Sequence, residues 1–583
     1  MPNIKLPSRA LLVFGIFMGL SYLTPFHIHP YRNFVNDALA ILGVVLGLGI
    51  WAWASKEALR IPGAVILPLV LIIVIGLQTV NGFVLYPAES FFAILYLICF
   101  TLALIFGSSL LLGNGDLKEV SSALACLFVT ASTVSVVFQH VQLINLNWYP
   151  YVMPLTHDRN PRPFANMAQP NLLALVHCFA LAAVWWLYLT RKFKPWAAIT
   201  LAVVILLGLT LTQSRIAWMI VPLFLALCWH QPGEHARVSK PLLVMLLILY
   251  VGMIVYLPFI WSFFGIPMDS SGHRAGQTGV RVILWEQAWL MSSLHPWFGV
   301  GWYQFGEQQV ILSTLFKPGE YNSYAHNIVL SFAAEIGWPL TIVIFAAVTY
   351  WFYICCIKRW ENIEVRFLSL LLLALFIHSL VEFPLWDGFM LMPFGVVVGA
   401  LHREKLGWKY TTINRAWLIG CFFCFLLTLC AMSWDFYRIA NAFRALGDDQ
   451  ISEQALSEKL KRPAFTLYPQ FYDYFHIIDI KIVPDTPNQD IQFLEKITLR
   501  FPSIVALQDL ALAYAYRQRT TEALRVLKTL YSLHGKFYSQ AYALWSGYAQ
   551  QQPANFQGIF TQMPKPEIES VQGNIGSEGE GAP

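Results

Sequence analysis

Charge is what this sequence has least of. Only 12% of its 583 residues are Asp, Glu, Lys or Arg, roughly half the share of a soluble globular chain. That scarcity, beside 57% apolar residues, excludes an ordinary water-soluble fold. Cysteine outside apolar blocks is also lacking: all nine cysteines lie inside such blocks or at their edges, so no disulfide framework is expected. Cys421 and Cys424 have a CxxC spacing, but within an uninterrupted apolar helix that reads as packing. There is no phosphate loop of the Walker type, which leaves ATP-driven transport without support. Gly299-Val300-Gly301 has no strand–turn–helix context and reads as a turn. His27 and His29 have no third ligand nearby, so no metal and no cofactor is expected. Nothing points to nucleic acid.

What is present is a series of apolar blocks, many of about 20 residues, the length that crosses a bilayer core. Thirteen candidate spans lie near 10–26, 34–54, 62–80, 91–112, 120–141, 172–189, 196–211, 216–229, 241–264, 339–357, 367–381, 386–401 and 417–434. Lys5 and Arg9 precede the first, and no small-residue cleavage pattern follows it, so it reads as a retained span. With the N-terminus inside, the inner segments hold seventeen Lys and Arg and the outer loops before the last span hold seven. This asymmetry predicts N-terminus in and C-terminus out.

The expected fold is an all-α polytopic membrane protein with a transmembrane region over 1–434. Two long outer loops lie at about 142–171 and 265–325. The second leads into an apolar stretch at 327–336, too short to span and closed by Gly337, that reads as a re-entrant or interfacial helix. Within 281–294, Val282, Trp285 and Trp289 share a face suited to the membrane surface. Beyond 434 charges recur, and 435–565 reads as a small helical region outside the membrane. There, 505–534 forms two amphipathic helices resembling one tetratricopeptide-type hairpin. Lying beyond the membrane region, this tail is expected to guide partner choice rather than chemistry. Residues 566–583 are Gly-, Glu- and Ser-rich and read as disordered.

Against so few outer charges, the polar residues that remain there need reasons. Arg215 stands in a very short turn, Thr212-Gln213-Ser214-Arg215. It is either a snorkelling helix-end cation or a fork for a lipid phosphate, and its place against the charge bias favours the fork. His326 precedes the short helix. A helix N-terminus favours neutral imidazole, which can accept a proton; capping or packing is the other reading. The run 162–171 sets Arg162, Asn166, Gln169 and Asn171 before a span, where amides can bind sugar hydroxyls or, at Asn171, cap a helix. His378 and Glu382, four apart at the outer end of a span, share a face and either bond each other or line a cavity. Arg281 opens the amphipathic segment, as an interfacial anchor or as part of a site.

Together these strings resemble the O-antigen ligase and polymerase superfamily, most closely its bacterial protein O-oligosaccharyltransferase branch. The resemblance runs from about 150 to 400 through RPFANMAQPN (162–171), TQSRIAW (212–218), GVRVILWEQAWLMSSLHPWFGVGWYQF (279–305), YAHNIVLSFAAEIGWPL (324–340) and HSLVEFPLW (378–386). It implies a multi-pass protein of the bacterial inner membrane with its active site facing the periplasm. The implied reaction is metal-independent transfer of a preassembled glycan from undecaprenyl diphosphate to Ser or Thr of an exported, pilin-like protein. By resemblance His326 takes the essential histidine position, Arg215 and Arg281 the basic positions, and Gln169 the loop glutamine. Phe383 stands where relatives often have Tyr, which puts a phenol role there in doubt. Residue supply agrees: a diphosphate leaving group needs positive charge, and a hydroxyl acceptor needs a base. A ligase or polymerase with a glycan or lipid A core acceptor is the nearest rival. A transporter would show an internal repeat among its spans, and none is visible. An asparagine-type oligosaccharyltransferase would bring a WWDYG-like motif and acidic metal ligands, and neither occurs.

The topology is open to direct measurement. Gln450→Cys is expected to react with an impermeant maleimide from the outer side, and Lys192→Cys only after permeabilisation, once native thiols are blocked. Labelling of residue 450 from the cytoplasm would overturn the orientation.

Overall fold

The computed structural model describes residues 6–55, 59–112, 115–155, 162–229, 238–266, 279–316, 319–406, 412–413 and 415–566. The described part of the chain is helical apart from a two-residue antiparallel pair, Leu59–Arg60 with Thr412–Ile413, and one isolated bridge. A helix lies over each of the thirteen apolar segments: α1 (Leu6–Leu23), α2 (Phe34–Ala54), α3 (Ile66–Val80), α4 (Pro87–Ser109), α5 (Leu117–Leu143), α6 (Pro170–Leu189), α7 (Pro195–Leu211), α8 (Ala217–Trp229), α9 (Lys240–Phe263), and, further on, Trp338–Cys355, Ile363–Ser379, Gly388–Leu406 and Arg415–Leu446. Among the described residues nine helices are long and apolar enough to cross a membrane; α7 and α8 are apolar but shorter. The loops add α10 (Gly279–Leu294), α11 (Phe305–Ile311) and α12 (Ile328–Ile336), which makes the four later helices α13 to α16 in the order given. The tail carries α17 (Glu453–Leu460), α18 (Pro469–His476), α19 (Asn488–Arg500), α20 (Ile504–Tyr516), α21 (Thr520–Leu533), α22 (Gly535–Gln551) and α23 (Pro553–Phe560). The segment read as a disordered tail lies, but for Pro566, outside the described residues.

These helices gather into two compact units. The first comprises Met1–Ile73, Ile94–Gln277 and Ile342–Cys430. Its centre is α6, apolar on every side (PNLLALVHCFALAAVWWLYL) with 16 of its 20 residues buried, as a helix without a polar face must be. α5, α7, α8 and α14 pack against it. Elsewhere in the unit α4 and α15 meet backbone to backbone. A Cβ at Gly107 would lie 2.0 Å from the Val396 carbonyl oxygen, and one at Gly399 2.1 Å from that of Leu104. Lipid gives apolar helices little hydrophobic drive to associate, so such small-residue contacts carry the packing.

The second unit comprises Val74–Ala93, Thr278–Thr341 and Ala431–Pro583. α10 packs on α12, burying Leu284, Gln287, Ala288 and Met291 while Val282 and Trp289 stay exposed and Trp285 is half-buried. That is the division of faces the sequence implied. The Gly299-Val300-Gly301 turn runs tight against the end of α12: Gly299 has φ +68 and a Cβ there would sit 2.3 Å from the Glu335 carbonyl carbon. Gln78 ties the same place, donating to the carbonyls of Phe298 (3.0 Å) and Glu335 (2.8 Å) and accepting from the Trp302 N–H (2.9 Å).

The tail shares this unit with the loop that carries His326. α20 and α21 form the expected hairpin, joined through Gln518 at φ +58. From it, the Ser532 carbonyl accepts the Gly319 N–H (2.8 Å) and Thr529 bonds Ser313 (2.7 Å), and Lys536 at the start of α22 pairs with Glu320 (2.9 Å). Arg500 on α19 makes a buried ion pair with Glu89 (2.5 Å), lies over the Tyr303 ring (5.3 Å), and offers its carbonyl to the Tyr321 hydroxyl (3.2 Å). These bonds give the tail a structural part in the loop's shape. Leaving Glu89 buried without its partner costs about 3–5 kcal/mol. Arg500→Ala is therefore expected to lower hydrogen-exchange protection across 319–327, with helices of the first unit unchanged. Unaltered protection there would show the junction to be incidental.

Candidate active site

Four of the residues read from the sequence converge within the first unit. Arg162 donates through Nε to the Thr212 carbonyl (3.1 Å) and through Nη2 to Asn171 Oδ1 (3.0 Å), while Asn171 Nδ2 donates to Glu382 Oε1 (2.8 Å). One polar chain thus joins the 162–171 loop, the α7–α8 turn and the segment after α14. Arg215 sits half-buried in that turn. The N-cap position of α6 is Gln169, with Pro170 in its first turn; Asn171 spends its amide on Arg162 and Glu382 instead of capping. Gln169 is half-buried, and its side chain makes no hydrogen bond among the described residues. α14 ends at Ser379, and the turn runs on past it, with the Glu382 N–H donating to the His378 carbonyl (2.9 Å). His378 itself is fully buried in the last turn.

The loop is held by side chains the sequence reading passed over. Ala165 and Ala168 both have left-handed backbones, φ +52 and +54, a conformation costing a non-glycine residue roughly 1–2 kcal/mol. Gln142 on α5 offsets this at Ala165 by accepting from its N–H (2.8 Å) and donating to its carbonyl (2.7 Å). One turn earlier, Gln139 donates to the carbonyls of Pro163 (3.1 Å) and Gly208 (3.0 Å). Asn166 is fully buried. It donates to the carbonyls of Leu23 (2.7 Å) and Tyr151 (2.8 Å) and accepts from the Met153 N–H (3.0 Å), while its own carbonyl meets His27 Nε2 (2.8 Å). Its amide holds protein backbone, which is positioning rather than sugar contact. His27 is a latch on the same loop. No group of three His, Cys, Asp or Glu suited to a metal occurs among the described residues.

In the second unit His326 directly precedes α12, whose N-cap is Asn327. The Asn327 side chain accepts from the N–H groups of Val329 and Leu330, so capping is done by the neighbour. His326 itself is left-handed at φ +51 and half-buried, with Nε2 3.4 Å from Asn322 Oδ1. Asn322 is held in turn: its N–H donates to Gln309 Oε1 (2.9 Å), and Gln309 Nε2 donates to Gln287 Oε1 on α10 (2.9 Å). Tyr324, two residues away, donates its hydroxyl to that of Tyr303 (3.1 Å). Arg281 is half-buried in the first turn of α10, and Trp285 follows one turn later. Glu335, another residue without a sequence signal, is buried on α12. Burial pushes its carboxyl up to about 8. An imidazole on a fixed loop can take a proton, and a guanidinium beside bound amides can hold an anion.

Comparison with known proteins bears on the same residues. Residues 200–345, which contain Arg215, Arg281 and His326, match the family described as O-Antigen ligase. Residues 367–552, which contain His378, Glu382 and most of the tail, match the family described as Virulence factor membrane-bound polymerase, C-terminal. The chain is similar to the General O-oligosaccharyltransferase of Acinetobacter baylyi, 23% identical over 551 residues that cover 91% of this chain and 93% of the relative. It is also similar to the ComP-specific O-oligosaccharyltransferase of the same organism, 24% identical over 413 residues, 69% and 72% of the two chains. On these matches the chain is similar over 200–345 and 367–552 to the O-antigen ligase and membrane-bound polymerase families, and along most of its length to bacterial protein O-oligosaccharyltransferases.

Proposed function

We propose that this chain moves a preassembled oligosaccharide en bloc from undecaprenyl diphosphate to a Ser or Thr hydroxyl of an exported, pilin-like protein. The observation that carries the reading is similarity to a general O-oligosaccharyltransferase along nine-tenths of the chain. In this reading thirteen helices cross the bacterial inner membrane with the N-terminus inside, and the chemistry faces the periplasm. His326 accepts the proton of the acceptor hydroxyl. The oxygen then bonds the anomeric carbon as the bond from that carbon to the diphosphate breaks, and undecaprenyl diphosphate leaves with the electron pair. Arg215 and Arg281 stabilise the charge that collects on the leaving diphosphate, and fixed cations act best where that charge develops. Gln169 and Trp285 face donor or acceptor, while Arg162, Asn166, Asn171 and Glu382 hold the loop and turn in place and the buried His378 backs them from the last turn of α14. The tail, with its tetratricopeptide-like hairpin, both shapes the His326 loop and meets the acceptor. The polymerase match over 367–552 favours one alternative, a growing glycan or lipid A core as acceptor. Mass spectrometry of exported proteins, and of lipopolysaccharide, with and without this gene separates the two; glycan lost only from lipopolysaccharide would reject protein transfer.

Two substitutions test the roles. Base catalysis is worth about 10²–10⁴ in rate, so His326→Ala is expected to lose nearly all transfer while donor binding persists. His326→Gln keeps a hydrogen bond without titrating and is expected to stay inactive; rescue by Gln would make His326 an orienting residue. Arg215→Ala is expected to lose donor affinity, and Arg215→Lys, which keeps charge but not the fork, to recover it in part. Wild-type donor affinity in the alanine variant would return Arg215 to a structural role.

A further inference from the structure

Away from Arg162 and Asn171, the first unit contains an open apolar cleft between its helices. Its walls come from α6, α7, α8, α9 and α14, with Ala202, Leu206, Val221, Phe224, Leu243 and Leu370 along its length. The lining is almost wholly apolar. One exception is Trp185, buried in the wall with an indole N–H that has no hydrogen-bond partner among the described residues.

The cleft has a chemically distinct end. Tyr188, Pro195 and Val238 line it there, and next to them along the chain stand Arg191, Lys194 and Lys240, all exposed. Trp196 and Trp229 are exposed beside them, and the Lys240 ammonium lies over the Trp229 ring at 5.2 Å. Exposed aromatics with Lys and Arg mark the depth of lipid head groups. An apolar slot opening under three cations complements one kind of molecule: acyl chain below, negative charge above.

We propose that this cleft binds an anionic membrane phospholipid. One acyl chain lies between α7 and α9, and the phosphate rests against Lys194 and Lys240. The undecaprenyl donor is a poorer fit. α7 runs 17 residues from the basic mouth at Pro195 to Leu211, about 25 Å at 1.5 Å per residue. A diphosphate held by Arg215 in the turn beyond Leu211 is a helix length from that mouth. The site is independent of the catalytic reading.

The test is native mass spectrometry of the full chain in detergent, offered equal amounts of phosphatidylglycerol and phosphatidylethanolamine. The wild type is expected to retain one phosphatidylglycerol with a preference on the order of five- to thirtyfold, as one or two surface cations provide. Lys194→Gln with Lys240→Gln is expected to keep a lipid but lose the preference, and these exposed positions leave folding intact. Ala202→Phe, which fills the slot, is expected to lose the retained lipid. Equal retention of both lipids by the wild type, or an undiminished preference in the lysine double variant, would overturn the proposal. Competitive displacement of phosphatidylglycerol by undecaprenyl phosphate would assign the cleft to the donor's chain instead.

Discussion

The guanidinium of Arg162 organises the first unit's polar end. It uses two of its N–H groups at once, one on the Thr212 carbonyl and one on Asn171 Oδ1. A rigid planar fork does this and an ammonium on a flexible stem does not. The contact also fixes which way Asn171 faces. With its oxygen committed to Arg162, its nitrogen must point to Glu382, where a carboxylate is the acceptor an N–H needs. A carboxylate at position 171 would set two negative groups against each other. The start of α6, the α7–α8 turn and the segment after α14 therefore have one arrangement in which all three sets of polar atoms are met, and Arg215 inherits its place from it.

Much of the fold was legible because a bilayer makes sequence unusually explicit. Runs such as 172–189 can be little else than buried helix, and α6 is the most enclosed of the long helices. The short helix before Gly337 was equally readable, since a ten-residue stretch cannot span and a glycine at φ +82 ends it. The α20–α21 hairpin followed from helical periodicity on both sides of Gln518. In each case a local pattern has a single physical solution.

The candidate site was legible in its residue types and only partly in its roles. Arg162, Asn171 and Glu382 were recognised singly, but 211 residues separate Asn171 from Glu382, and no local pattern records that they meet. Four-residue spacing set Glu382 beside His378, and its N–H does bond the His378 carbonyl although the helix proper ends at Ser379. Gln139 and Gln142 gave no signal, since a glutamine in an apolar helix reads as a tolerated polar residue until its partners are known. Asn166 stood in the right loop, yet its amide turns inward to three backbone groups. The tie between Arg500 and Glu89 is likewise invisible along the chain.

These omissions share a cause. In water, apolar burial both assembles helices and leaves polar side chains free for function. In lipid, apolar surface discriminates little between correct and incorrect helix pairs, so glycine contacts and buried amides take over the sorting. Gln139 illustrates the consequence. The bond it gives the Gly208 carbonyl joins α5 to α7, and the bond it gives the Pro163 carbonyl holds the loop that carries Arg162. Packing and site geometry are then one set of hydrogen bonds, because an amide left unmet at that depth would cost about 1–3 kcal/mol. The strained alanines at 165 and 168 are tolerable for the same reason: the partners that hold one of them, Gln142 above all, lie on a helix already fixed in the bundle. A loop built this way is set in advance, which is the condition under which Arg215 in the adjoining turn, in the role proposed for it, meets developing charge without rearranging.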